Sequence, residues 1–230
     1  EDQLRGEAAT LPFFSNGQYH NPMVLRIAGY GYQKGFGGHF HNDDAVATLR
    51  DIPGIVVASP ARPDDAAAML RACLAAASGD GSTYVFLEPI ALYHTRDLLS
   101  PGDGGWVAPY PLPTEWSACH APIGSARVHG DGSELTIVTF ANGTYMSLRV
   151  AQRLADDGID VRVVDLRWLV PLPVADILRE AEATGRVLIV DETRRSGGVS
   201  EGIVGALVDA NFEGTISRLT SQDSFVPLGE

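Results

Sequence analysis

The sequence predicts an α/β fold made of two parallel-sheet units. Three observations carry this reading. Short β-branched runs alternate with helix-like segments along most of the 230 residues. Those runs are almost continuously apolar, as strands covered on both faces are. In the second half the strands recur every ~25–30 residues, the size of a βαβ unit.

Taken in order, Glu1–Phe14 reads as the tail of a helix ending near Pro12. The run 22–28, bounded by Asn-Pro and Gly, reads as a strand, and Gly54–Ser59 as a second. Arg62–Ala77 reads as a helix: Pro63 suits a first turn, and Ala66, Leu70, Cys73, Leu74 and Ala77 share one face. Thr83–Leu87 is a third strand. Residues 95–133 then change character. Five prolines and six glycines there predict a long extended connection that leans on its neighbours.

A second regular pattern begins at Leu135. Leu135–Phe140 is a strand, and Asn142-Gly-Thr144 caps a helix to about Asp157. Asp160–Asp165 is a strand, Pro173 opens a helix to about Ala183, and Val187–Val190 is a strand. Gly197–Ser200 leads a helix to Asn211, and Thr215–Leu219 is the last strand. The boundary between the two units falls near 120–133, giving domains 1–120 and 121–230.

Composition narrows the function classes. Seventeen Lys and Arg against 29 Asp and Glu give a net charge of −12, which disfavours a nucleic-acid-binding module. A hydrophobic content of 45% excludes disorder. No apolar run approaches the roughly 20 residues that span a bilayer, and no signal-peptide pattern is visible at the N-terminus. The two cysteines, Cys73 and Cys119, form no CxxC, so a soluble protein of a reducing compartment is expected. The chain starts without Met and stops shortly after a strand, so both ends read as fragment boundaries.

Three features are candidates for chemistry. The loop from Gly29 to Asp44 carries five glycines between positions 29 and 38 and follows a strand end, where open parallel sheets bind ligands. It matches neither GxGxxG nor a P-loop, and a plain surface loop is the competing reading. Within it, His39-x-His41 with Asp43 and Asp44 resembles the HxHxDH motif of metallo-β-lactamase-type hydrolases, with Asp44 where the last His should stand. That reading needs further ligands, for which His94, His120 and His129 are the candidates. Asp43 and Asp44 equally suit the first turn of a following helix. The third feature is Asp191–Gly198, a charged strand end turning through glycines into a helix. It is either an anion site or a solvated loop with its helix cap, and the missing phosphate fingerprint favours the cap. No GxSxG elbow occurs, and Cys73 falls on the buried helix face, so nucleophilic catalysis has no support.

These segments together resemble the thiamine diphosphate-dependent transketolase-like family, above all the beta subunit of 2-oxo acid dehydrogenase decarboxylase components. His41, Leu49–Pro60, Pro63–Ala67 and Val85–Pro89 follow the second half of that family's pyrimidine-binding domain. Ile123–Arg127 follows the joint, and Leu135–Phe140, Asp160–Arg167, Pro171–Pro173, Val190–Gly198 and Ser221–Asp223 follow its C-terminal domain. The resemblance implies a partial pyrimidine-binding domain followed by a transketolase C-terminal-type domain. It implies thiamine diphosphate with Mg2+, held mainly by segments outside this chain, because the glutamate that activates the cofactor lies upstream of residue 1. His41 falls where the family carries an active-site histidine, although Asn42 and Asp43 replace its usual neighbours. Imidazole is the commonest proton-transfer group near neutral pH. Implied partners are an alpha subunit or N-terminal half with the diphosphate-binding domain, a second copy in a homodimer, and a lipoyl-bearing acyltransferase, in the cytoplasm. The alternatives are a transketolase-type two-carbon transfer enzyme, a non-catalytic assembly subunit, and a metallohydrolase using His39 and His41.

Overall fold

The computed structural model describes residues 2–31 and 45–225. The first sheet contains β1 (Met23–Gly29), β2 (Ile55–Ala58) and β3 (Thr83–Pro89), with β3 in the middle and all three parallel. Every residue of β3 is buried, which explains the apolar run Tyr84–Leu87 at its centre. Its side chains alternate between two cores. Tyr84 and Phe86 pack with Met69, Cys73 and Ala77 of α3 (Pro63–Asp80), while Val85 and Leu87 face the other way. On that side they join a core that runs into the second sheet through Val138, Val164, Val187 and Ile189.

The second sheet has the order β4 (Arg127–His129), β6 (Val161–Asp165), β5 (Leu135–Thr139), β8 (Arg186–Arg194) and β9 (Thr215–Ser221). Strands β6, β5, β8 and β9 are parallel neighbours, and β4 runs antiparallel along β6. Helices α4 (Asn142–Asp156), α5 (Val174–Thr184) and α6 (Val199–Asp209) connect them. The strand β7 (Trp168–Val170) leaves this unit and pairs antiparallel with β2 of the first sheet. The two sheets are thus joined by hydrogen bonds as well as by a shared core.

Local chemistry explains most boundaries. Pro63 opens α3, and Gly81 ends it at φ 74°, in the left-handed region that glycine enters freely. At the N-terminus a wide turn over Leu4–Ala8 leads into α1 (Thr10–Phe14), so the helix passes Pro12 and stops at Asn16 and Gly17, both with positive φ. The buried face of α3 differs from the expected one. Asp65, Ala68, Met69, Cys73 and Ala77 are buried, and Leu74 is 51% exposed. An alanine-rich helix defines its face weakly. Here the ion pairs of Asp65 with Arg127 and Arg167 help turn that side inward.

The Pro/Gly-rich connection follows a single turn at Ile90–Leu92 and is irregular apart from one turn at Pro113–Glu115 and the short strand β4, yet it is fixed to its surroundings. Arg62 stacks over Trp106, and Arg71 lies over both Tyr110 and Trp116. Asp97 and Asp103 accept backbone N–H bonds from within the segment, which stand in for a ladder. Trp106 is buried edge-on to Tyr145 of α4, tying the connection to the second unit.

Candidate active-site base

The loop that carries His41 leaves the first sheet at the C-terminal end of β1. Tyr30, the last side chain before it, is 2% exposed and adopts φ 60°. Its hydroxyl shares a hydrogen bond of 2.8 Å with Ser59 Oγ at the end of β2, and its ring lies against Phe140. Asn142, at the start of α4, donates from Nδ2 to the Tyr30 carbonyl at 3.2 Å. Asn142 is held in turn by Glu192, which accepts from its backbone N–H at 3.0 Å and from Nδ2 at 2.8 Å. The first free N–H of α4 is therefore capped by a carboxylate from β8 rather than by Asn142 itself. A carboxylate at this place also suits the positive end of the helix.

The loop returns at Ala45, with φ 48°, and enters α2 (Val46–Arg50). Val46 is fully buried. Arg50 reaches from α2 into the start of α6 and donates to the Gly198 carbonyl at 2.8 Å. Burial pulls its guanidinium below the ordinary arginine value, and Asp191 and Glu201 oppose that. Both ends of the loop are thus fastened to the second unit, one through Asn142 and Glu192, the other through Arg50 and Gly198. His39, His41, Asp43 and Asp44 themselves lie outside the described residues.

The Asp191–Gly198 turn proves to be a cap. Asp191 Oδ2 accepts the Ser200 N–H at 2.6 Å, and Oδ1 accepts from the Thr193 N–H and hydroxyl. The carboxylate of the chain itself fills the place a bound anion would take. At the end of β3, Glu88 accepts from Arg26 Nε at 2.5 Å, from Arg26 Nη2 at 3.1 Å, and from the Tyr93 hydroxyl. Burial and then Glu88 push the Tyr93 phenol up to about 12. Among the described residues no group of three His, Cys, Asp or Glu is arranged to hold a metal ion. His94 and His120 are exposed. His129 is half-buried in β4, and burial, followed by Arg127, pushes its imidazole down to about 4.

The family model described as "Transketolase, C-terminal domain" matches residues 124–229, the span of the five-stranded sheet. Residues 124–229 are thus similar to the transketolase C-terminal domain family. Around this domain the likeness extends over the whole chain. It is 28% identical over 237 residues to the pyruvate dehydrogenase E1 component subunit beta of Bacillus subtilis, covering 100% of this chain and 65% of that protein. It is 31% identical over 241 residues to the 2-oxoisovalerate dehydrogenase subunit beta of Pseudomonas aeruginosa, covering 98% and 63%. The chain therefore spans just under two thirds of these relatives. A solved structure described as "Split gene transketolase, inactive beta4 tetramer" superposes with a TM-score of 0.65 at 22% identity, over 89% of this chain and 58% of that one, and shares the fold. The transketolase-like resemblance read from the sequence stands.

Sequence reasoning missed the part the second unit plays at the loop base. Asn142 was legible as a helix start, but nothing local points from it to Tyr30, 112 positions earlier. The acidic Asp191-Glu192 pair was the available signal. Two carboxylates at the end of a parallel strand commonly meet helix N-termini.

Proposed function

We propose that this chain is the beta-type portion of a thiamine diphosphate-dependent 2-oxo acid dehydrogenase component, which decarboxylates a 2-oxo acid and passes on the acyl group. The observation that carries this is the end-to-end similarity to beta subunits of two such dehydrogenases. In this reading residues 1–120 are part of a pyrimidine-binding domain and 121–230 the transketolase C-terminal-type domain. His41 is the proton-transfer group, and the described loop base supports that role by fixing where the loop begins and ends.

The described residues do not by themselves fit the cofactor. The carboxylates at the ends of β3 and within β8 are already engaged: Glu88 by Arg26 and Tyr93, Asp191 by Thr193 and Ser200, Glu192 by Asn142. None is open to activate the cofactor or to hold Mg2+, so no step through it is assigned to them. Those contacts belong in this proposal to segments outside the chain: an upstream half-domain and an alpha subunit or N-terminal half. A homodimer, a lipoyl-bearing acyltransferase as acceptor, and a cytoplasmic location complete the proposal. No helix among the described residues is long and apolar enough to cross a membrane.

The test is turnover of pyruvate and branched 2-oxo acids by the complete polypeptide with its alpha-type partner. His41→Ala should lower turnover by about 10²–10⁴-fold, the scale of a lost acid–base group, with cofactor affinity little changed. Activity within a few-fold of the parent would remove His41 from the chemistry. Absence of 2-oxo acid turnover in the fully loaded parent complex would remove the dehydrogenase reading.

A further inference from the structure

A cleft of about 720 Å³ opens between α3, the C-terminal end of β3 and residues 92–108 of the connection. That volume lies within the usual range of small-molecule sites, ~300–1,000 Å³. Its floor is apolar, from Ala67 and Leu70 of α3, Phe86 of β3 and Leu92. Its charged groups are nearly all cationic. Arg26, Arg62 and Arg96 line it, with Glu88 as the one carboxylate, and Glu88 is taken by Arg26 and Tyr93. In a chain of net charge −12 this is an unusual concentration of positive charge.

The two remaining arginines differ in a useful way. Arg62 is already oriented: its guanidinium stacks 4.9 Å from the Trp106 ring centre, contacts Asp64 at 3.3 Å, and has a side chain only 16% exposed. Arg96 is exposed and has no ion pair among the described residues, while its carbonyl accepts the Trp106 N–H and so fixes its backbone. A preset arginine beside an uncommitted one, over an apolar floor, is complementary to a ligand with an anionic head and an apolar body.

We propose that this cleft binds a small organic anion, its carboxylate, sulfonate or phosphate group against Arg62 and Arg96 and its apolar part on Leu70, Phe86 and Leu92. The site is shaped by the first sheet and the connection together, so occupancy also fixes residues 92–108 against α3.

The probe is 8-anilinonaphthalene-1-sulfonate, an aromatic body with a sulfonate, titrated by fluorescence into the folded chain at low and high salt. One saturable site, weakened by salt, is expected. Arg96→Glu should weaken it by about tenfold or more, since the exposed charge is reversed at the anion's position. Arg153→Glu, an exposed residue of α4 with the same change in net charge, should leave it unchanged. Ala67→Leu, which narrows the floor, should also weaken binding in protein whose circular dichroism matches the parent. Equal effects of Arg96→Glu and Arg153→Glu, or parent-like binding by both Arg96→Glu and Ala67→Leu, would overturn the proposal.

Discussion

Arg167 and Asp65 meet at 3.1 Å across the seam between the two sheets, each side chain only 9% exposed. Arg167 follows β6 and Asp65 lies in the first turn of α3, so the pair links one unit to the other. The same guanidinium donates to the Ser125 and Ala126 carbonyls, and Asp65 also receives Arg127 at 2.9 Å. Removing one member of such a pair leaves the other charge buried. Asp65→Asn should therefore cost about 3 kcal/mol or more, read as a lower urea midpoint. A change within a few tenths would show that water already reaches Arg167.

Two glycines around α6 should respond to alanine with opposite signs. At Gly198 a Cβ would lie 2.2 Å from the Arg194 carbonyl oxygen and 2.7 Å from Thr193 Oγ1. The backbone must shift, and the cap made by Asp191 shifts with it. Gly198→Ala should lose about 1–3 kcal/mol, as overpacking does. At Gly205, inside α6, nothing lies within 4 Å of the added carbon. Gly205→Ala should gain about 0.5–1 kcal/mol from helix propensity alone. Thermal midpoints of the two variants should fall on either side of the parent, and a loss at Gly205 would contradict the open space seen there.

Most strands were legible because burial on both faces writes itself into consecutive residues, as in Thr83–Pro89. The helix start at Pro63 was legible for an equally local reason, whereas the reading stopped at Ala77 and the helix runs on to Asp80, where Gly81 closes it. The strand β7 was not. Trp168–Val170 is three residues long, and its partner Val57–Ala58 lies over a hundred positions away, so no local period announces it. At the site, the chain pattern singled out the loop and His41, while the clamp formed by Tyr30, Asn142 and Glu192 depends on contacts between residues far apart in sequence. The reading of Asp191–Gly198 as a cap succeeded because its chemistry is local.

The two thiols should separate cleanly. Cys73 is fully buried in the α3 core, and burial pushes its thiol up to about 12, so little thiolate forms near neutral pH. Cys119 is exposed. A thiol-reactive dye should label Cys119 promptly in the native protein and Cys73 only with global unfolding, which peptide mapping resolves. Equal labelling rates would mean that α3 opens locally.

Two desolvated groups near the Asp65–Arg167 seam, one buried and one half-buried, should give stability opposite slopes with pH. Asp165 is fully buried at the end of β6. Burial, then the charge of Asp65, pushes its carboxyl from 3.8 up to about 7, against the opposing pull of Arg167. Between those values the folded chain keeps a proton that the unfolded chain has released, so this group's contribution falls as pH rises. His129 is pushed the other way, from 6.5 to about 4, by burial and by Arg127 and Arg62, with Asp65 and Asp64 opposing. Between those values the unfolded chain binds the proton first, so stability falls as pH drops. Asp165→Asn keeps a neutral acceptor for the Arg167 N–H at the same place. Its stability relative to the parent should climb between about pH 4 and 7 and level off above. For His129→Phe the relative stability should climb as pH falls from about 6.5 to 4. Urea midpoints across that range, measured on parent and both variants, test the pair. Two flat difference curves would mean that neither group is as desolvated in solution as the fold makes it, and curves of the same sign would place one of the two protons on the wrong group.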